Sequence, residues 1–448
     1  MKQSGLYVIA ILILSLIGFF LNSFQIIVAG FLTLLVGMLL SYSSNRIDKR
    51  NNRTVLLVVF IVYYLSAFIV SFAFDSKSFF YVSDPMRDID YVHSMKNLDT
   101  TTVLGYLYLC YFELADNNAL FQMPLVLFGN MGRNSAGLIP TFFITQMIVA
   151  FGIWSSVFIH KLLRYYFEPQ EAVKYALTFC LLSAYLLYST VIIRDIIISF
   201  FYLVGFNIAL SKFRLDKLLL LIVLLFVVWG IRLYSGFFYV VIIFFYLYRN
   251  MIKTKWKYLL IPMMIIGIAV GVASAGVLID QSTEELASYE DLSKDREVSG
   301  GLSNSFSGLP VGVKQIVLLF FSEILPFPPY GVMLEASTLP QFFMGILCAI
   351  MSVWWFLVFY SLMALLFLRG GMRKLPLELL LFVGISVVFI MLNTAHVDIR
   401  RLLPVYPLLY AAYLYLKERE KPKVNGAIRK YIIIGYCFLI FAYTLIKL

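Results

Sequence analysis

The chain has 448 residues, 61 % of them hydrophobic and only 14 % charged, with a mean hydropathy of +0.88. That composition excludes a soluble globular domain. The net charge of +11 raises nucleic-acid binding, but the basic residues stand in short clusters between apolar runs, as positive loops of membrane proteins do, so no nucleic-acid partner is expected.

A spanning helix needs roughly 20 apolar residues, and runs near that length recur from end to end. The first, Gly5 to Leu21, lacks a small-x-small cleavage site and leads straight into a second apolar run after Asn22 and Ser23. It reads as a retained helix rather than a signal peptide. In chain order the apolar runs predict helices at 5–22, 24–42, 55–74, 137–159, 174–193, 195–211, 217–231, 235–249, 258–279, 338–368, 375–393, 402–416 and 430–447. The expected fold class is therefore all-α: a polytopic integral membrane protein with about thirteen transmembrane helices in one transmembrane domain. Four cysteines (Cys110, Cys180, Cys348, Cys437) lie at wide spacings in apolar surroundings and suggest neither disulfide framework nor metal motif.

Sidedness follows from the basic clusters. They are Arg46/Lys49/Arg50/Arg53, Lys161/Arg164/Lys174, Lys212/Arg214/Lys217, Arg249/Lys253/Lys255/Lys257, Arg369/Arg373/Lys374 and Lys417/Arg419/Lys421/Lys423/Arg429/Lys430. With a cytoplasmic N-terminus, alternation puts all six on the cytoplasmic side, which becomes strongly positive while the other side is net negative. One missed helix would scramble this agreement. Two long external segments interrupt the rhythm. Residues 75–136 contain half-length apolar stretches, Thr102 to Phe112 and Ala119 to Phe128, expected as re-entrant or interfacial helices. Residues 280–340 open acidic and Ser/Gly-rich (Glu284, Glu285, Glu290, Asp291, Asp295, Glu297, Gly300, Gly301) and close with apolar Ile316 to Leu325 before Pro326, Pro328 and Pro329, a lid-like loop.

Chemistry-bearing residues gather on that external side. Ser83-Asp84-Pro85-Met86-Arg87-Asp88-Ile89-Asp90 follows the third helix; its carboxylates can take a hydroxyl proton or bind a polar ligand, although a solvated juxtamembrane loop looks the same. Arg194-Asp195 interrupts Val191-Ile192-Ile193 and Ile196-Ile197-Ile198 with no Gly, Pro or Asn to mark a turn. An arginine in such surroundings costs roughly 2.5–3.5 kcal/mol on insertion scales and needs a partner or a wet cavity. Asp195 can serve as that partner in a purely structural ion pair. Arg232 stands at the next external hairpin, Trp229-Gly230-Ile231-Arg232-Leu233-Tyr234-Ser235-Gly236, with no acid nearby in sequence, where snorkelling to headgroups is the plain alternative. Two guanidinium forks at consecutive external hairpins can converge on phosphate oxygens. His396, with Asp398, Arg400 and Arg401 before Leu402-Leu403-Pro404, opens the twelfth helix from the same side and suits a base or ligand. Aromatics form 17 % of the chain, including 30 Tyr; most read as interface anchors, while Tyr91, Tyr106 and Tyr330 suit sugar stacking.

The Ser83-Asp84-Pro85 loop, the Arg194-Asp195 hairpin, the Arg232-Leu233-Tyr234-Ser235 hairpin and the Arg401-Leu402-Leu403-Pro404 helix start together resemble Wzy-type O-antigen and capsular polysaccharide polymerases, within the broader C-type (GT-C-like) polytopic glycosyltransferases. Arg194 to Gly205 also fits an Arg, ten residues, Gly pattern discussed for such polymerases. The resemblance covers the chain as topology. It implies a multi-pass protein of the bacterial inner membrane that moves a growing glycan from undecaprenyl pyrophosphate onto an incoming lipid-linked repeat unit, with membrane lipids and a chain-length regulator as partners. It further implies substrate binding by Arg87, Arg194, Arg232, Arg400 and Arg401, and a base among Asp84, Asp88 and His396. Cofactor and metal are not called for, because arginines can offset the leaving-group charge. Two alternatives stay open. A C-type transferase adding one sugar from a polyprenyl monophosphate would use Asp84 and Asp88 as base or metal ligands. A lipid-linked oligosaccharide flippase or transporter would carry charges at mid-bilayer in several helices, with inverted repeats.

Overall fold

The computed structural model describes residues 3–75, 121, 124–125, 128–129, 131, 140–251, 320, 323–324, 326–393 and 399–447. Every regular element among them is helical. In chain order these are α1 (Gln3–Phe20), α2 (Phe24–Leu40), α3 (Arg46–Ser71), α4 (Thr141–Arg164), α5 (Pro169–Leu182), α6 (Ala184–Ser189), α7 (Asp195–Ala209), α8 (Leu215–Ile231), α9 (Leu233–Met251), α10 (Gly331–Leu334), α11 (Leu339–Leu368), α12 (Leu377–Asn393), α13 (Tyr406–Arg419) and α14 (Pro422–Lys447). Each predicted helix has a counterpart here except 258–279, which lies outside the described residues, as do the half-length stretch 102–112 and most of 119–128. Among the described residues, five helices (α1, α3, α4, α11 and α14) are long and apolar enough to cross a membrane, while α2, α7, and parts of α9 and α12 are shorter apolar helices. The chain is thus a helical protein with the marks of a membrane protein.

Several boundaries differ from the expectation, α3 starting at Arg46 rather than 55, and two of the differences have clear local reasons. The predicted 174–193 helix divides at Ser183, whose extended backbone (φ −88, ψ 173) ends α5 while its hydroxyl accepts the Tyr185 N–H at 3.2 Å and starts α6. A serine that can cap a helix competes with one that continues it. The last helix starts at Pro422 rather than near 430, because proline at the first helical position is pre-organised for it. At α3 the Asn45 side chain accepts the Ile47 N–H at 2.8 Å, and Asp48 sits in the first turn, favourable at the positive end of the helix dipole.

The centre of the bundle is α4, buried along most of its length against α3, α7, α2 and α5. Close approach there depends on Gly152: a Cβ would stand 2.1 Å from Ser189 Oγ and 3.2 Å from the Tyr63 ring. Tyrosines then tie helices through hydroxyls that must find acceptors once buried. Tyr63 donates to the Cys180 carbonyl at 2.8 Å, Gln146 bridges to the Ile26 carbonyl at 3.1 Å and to Tyr64, and Tyr185 donates to the Leu403 carbonyl at 3.0 Å. Both α11 and α13 close the other side, with α14 and α1 largely exposed along apolar faces.

The helix ends predicted to be cytoplasmic meet at one end of the bundle. Gln3 donates to the Arg50 carbonyl, Lys161 to the Leu40 carbonyl at 2.7 Å, and Asn51 to the Pro169 carbonyl. Ion pairs join Arg164 to Asp48 (2.9 Å), Arg249 to Glu378 (3.5 Å) and Lys374 to Glu420 (2.8 Å), and Arg249 also donates to Tyr165. The Lys374 ammonium, hydrogen-bonded to Glu420, holds that carboxyl below the usual range. A helix missed or added between clusters would have sent some of these residues to the opposite end.

Candidate functional site

At the opposite end, α7, α8 and α9 assemble the charges. Helix α7 begins at Asp195 after a non-helical stretch from Thr190, and α8 meets α9 at Arg232, whose extended backbone (φ −158, ψ 117) makes the turn. Gly236 permits this tight turn, since a Cβ there would stand 3.0–3.2 Å from Trp229. Tyr202 of α7 donates to the Ser235 carbonyl at 2.6 Å. Helix α9 comes close to α7 at Gly205, where a Cβ would lie 2.6 Å from the Tyr239 hydroxyl. The Arg-x10-Gly pattern therefore has a packing basis: its glycine makes room for the tyrosine that brings α9 against α7.

This packing brings Arg194, Asp195 and Arg232 together. Arg232 forms a charge-assisted pair with Asp195, the two side chains being 15 % and 4 % exposed. Arg194 reaches the Ile231 carbonyl, one residue from Arg232, at 3.5 Å. The acid that answers Arg232 thus lies 37 positions earlier in the chain, beyond the reach of a local reading. Asp195 occupies the first turn of α7, so the helix dipole also favours its carboxylate. Both members of the Arg194-Asp195 pair thus reach the neighbouring hairpin: Asp195 holds its arginine, and Arg194 bridges to its backbone.

The cluster lies deeper than a surface loop. Helix α7 has 15 residues, about 22 Å at 1.5 Å each, short of the ~30 Å apolar core of a bilayer. Phe200 packs on Phe151, Trp154 and Phe158, and Asn207 donates to the Phe158 carbonyl at 3.0 Å. That parallel register puts Asp195 near the level of Ile148, about 10 Å below the Thr141 end of α4.

Arg400 sits half-buried on the 3-10 turn Ile399–Leu402 that precedes α13. The turn is anchored: Leu403 N–H donates to the Arg400 carbonyl at 3.3 Å, and Tyr185 of α6 holds the Leu403 carbonyl. Since α6 runs on into the Thr190–Arg194 stretch, one short helix supports both arginine-bearing turns. Asp84, Arg87, Asp88 and His396 lie outside the described residues, as do Tyr91, Tyr106 and the Arg401 side chain. Tyr330 is engaged with Thr444 at 2.9 Å.

The sequence reading passed over Glu323. It is fully buried, and Trp355 of α11 donates its indole N–H to the carboxylate. Its signal was available: a single acid inside the apolar stretch 316–325, where an ionisable residue has to be accounted for. No protein-family model, curated protein or solved structure matches the chain.

Proposed function

We propose that the chain is a glycosyltransferase of the bacterial inner membrane that polymerises undecaprenyl-pyrophosphate-linked oligosaccharide repeat units into a surface polysaccharide at the external face. The topology in this reading has about thirteen spans, a cytoplasmic N-terminus and an external C-terminus. The observation that carries the proposal is the arginine cluster at the end away from the basic clusters, where Arg232 pairs with the buried Asp195 carboxylate and Arg194 reaches the same hairpin at the Ile231 carbonyl. Arg194 offers the fork for pyrophosphate oxygens, and Asp195 fixes Arg232 beside it. Arg400 adds positive charge on the turn before α13, and the reading assigns Arg401 and Arg87 the same task.

In the transfer, the acceptor hydroxyl oxygen attacks the anomeric carbon and the bond from that carbon to the pyrophosphate oxygen breaks. The departing pyrophosphate keeps the electron pair, and the arginines offset its charge. The hydroxyl proton passes to a base among Asp84, Asp88 and His396, with Asp84 favoured because Pro85 restricts its backbone. The test is turnover of lipid-linked repeat units by purified Arg194→Lys, Asp84→Asn, Asp88→Asn and His396→Ala protein. Arg194→Lys keeps the charge but loses the fork, and chain extension is expected to fall at least about 10-fold, the equivalent of 1.4 kcal/mol. Normal extension by Arg194→Lys sinks the clamp. Products lacking one sugar, rather than single intact repeat units, would move the assignment to a single-sugar C-type transferase.

A further inference from the structure

The described residues between 320 and 336 run along α11. Tyr360 donates to the Phe320 carbonyl at 2.9 Å, Ser352 to the Ile324 and Pro326 carbonyls at 3.1 Å each, and Trp355 to the Glu323 carboxylate. Higher up, a Cβ on Gly345 would collide with Met333, so the segment climbs α11 in close contact. Non-helical backbone is tolerated at membrane depth where protein groups satisfy it, as these side chains do. Trp355 lies midway along the 30-residue α11, roughly 20 Å from either end. Glu323 is accordingly an ionisable group at the middle of the bundle, where such a residue calls for a function.

Its connection leads to the arginine turn. The Trp355 ring that donates to Glu323 is stacked on Tyr406, centroids 3.9 Å apart and planes 29° from parallel. Glu323 and Tyr406 are both fully buried, and Trp355 nearly so. Tyr406 is the first residue of α13, and the turn before it is a continuous hydrogen-bonded ladder: Leu403 to Arg400, Val405 to Leu402, Leu408 to Val405. The indole is held at its N–H edge by Glu323 and stacks by a face on Tyr406, where α13 begins.

The geometry points to Glu323 as a positioning residue: by accepting the Trp355 N–H it locks the indole against Tyr406 and so sets the turn that carries Arg400 and Arg401. The end of the 280–340 loop and the arginine turn are then one mechanical unit, although 77 residues separate Glu323 from Arg400. The hydrogen-bond acceptor, not the charge, performs this task. The inference rests on the proposed function only for its second measurement below.

The first measurement needs no ligand. In a background with the native cysteines replaced, Arg400→Cys is exposed to a water-soluble maleimide in detergent-solubilised protein. Glu323→Leu and Tyr406→Leu are each expected to raise the modification rate at least 5-fold, and the double variant no more than either alone, because both act through Trp355. Glu323→Gln retains an acceptor and is expected to stay within 2-fold of the parent. Ser352→Ala, which loosens the same segment without touching Tyr406, is also expected to stay within 2-fold. Multiplying effects in the double variant, or equal acceleration by Ser352→Ala, overturns the inference in favour of general loosening; an unchanged rate in Glu323→Leu overturns it outright. The second measurement titrates inorganic pyrophosphate into the chain with Arg400 intact, following the emission that Trp355→Phe removes from the five tryptophans. Affinity is expected to fall at least 5-fold in Glu323→Leu and to be restored in Glu323→Gln. If the parent itself does not bind pyrophosphate, the proposed function fails while the maleimide rates still decide the role of Glu323.

Discussion

Breaking the Asp195–Arg232 pair one partner at a time should be far more damaging than removing both. The side chains are 15 % and 4 % exposed, so solvent screens the pair little, and removing one partner of a buried pair costs about 3–5 kcal/mol. The two halves are unequal. Arg232→Met leaves Asp195 at the start of α7, where the dipole returns roughly 0.5–1 kcal/mol, so its loss belongs at the lower end of the range. Asp195→Leu strands a guanidinium in apolar surroundings beside Arg194 and belongs at the upper end. The double variant Asp195→Leu/Arg232→Met exchanges the pair for apolar groups and is expected within about 1 kcal/mol of the parent, or above it. Equilibrium unfolding in mixed micelles with increasing SDS measures all four proteins in one cycle. Additive single losses would refute the pairing. A stable double variant that lacks the proposed chain extension would show Arg232 acting on the proposed ligand as well as holding the hairpin.

Three further outcomes follow from the same packing. Gly205→Ala puts a methyl 2.6 Å from the Tyr239 hydroxyl and is expected to cost about 1–3 kcal/mol by overpacking, read by the same SDS titration; Tyr239→Phe should relieve part of it. Tyr202→Phe removes the donor to the buried Ser235 carbonyl and should cost about 1–3 kcal/mol, with Tyr202→Leu costing more through the lost ring. Maleimide labelling of cysteines placed at Lys49 and Ser293 in intact cells should modify Ser293→Cys alone; equal protection of both would overturn the assigned sidedness.

Charge alternation and apolar length made the helices legible, because a 20-residue apolar run has few other fates and each basic cluster had to land at the same end. The contacts of Arg164 with Asp48, Arg249 with Glu378 and Lys374 with Glu420 put the clusters there. What stayed hidden was decided at long range or by single side chains. Ser183 gives no stronger local signal than other serines in the chain, yet its capping bond splits a predicted helix. The acid serving Arg232 is invisible from its own hairpin because α7 and α9 pair through Gly205 and Tyr239, a fit of shapes rather than of pattern. Glu323 was passed over because its neighbours made the stretch look uniformly apolar.

The placement of charges away from the basic end bears on the choice between transfer and transport. A carrier whose cargo crosses the bilayer draws its polar groups from the interiors of several spans, at broken helices related by an internal repeat. Here Arg194 precedes α7, Asp195 begins it, Arg232 separates α8 from α9, and Arg400 belongs to the turn before α13. All are helix ends reached from one side of the bundle. Glu323 is the one acid at mid-depth among the described residues of this region, and α11 engages it through Trp355 instead of leaving it on a path through the bundle. The basic end, meanwhile, is tied by ion pairs and by the buried His160–Asn52 contact of 2.6 Å between α4 and α3. A bundle fastened at one end, with arginines recessed at the other, suits a headgroup that enters and leaves by the same face. That arrangement fits the proposed transfer better than passage across the membrane.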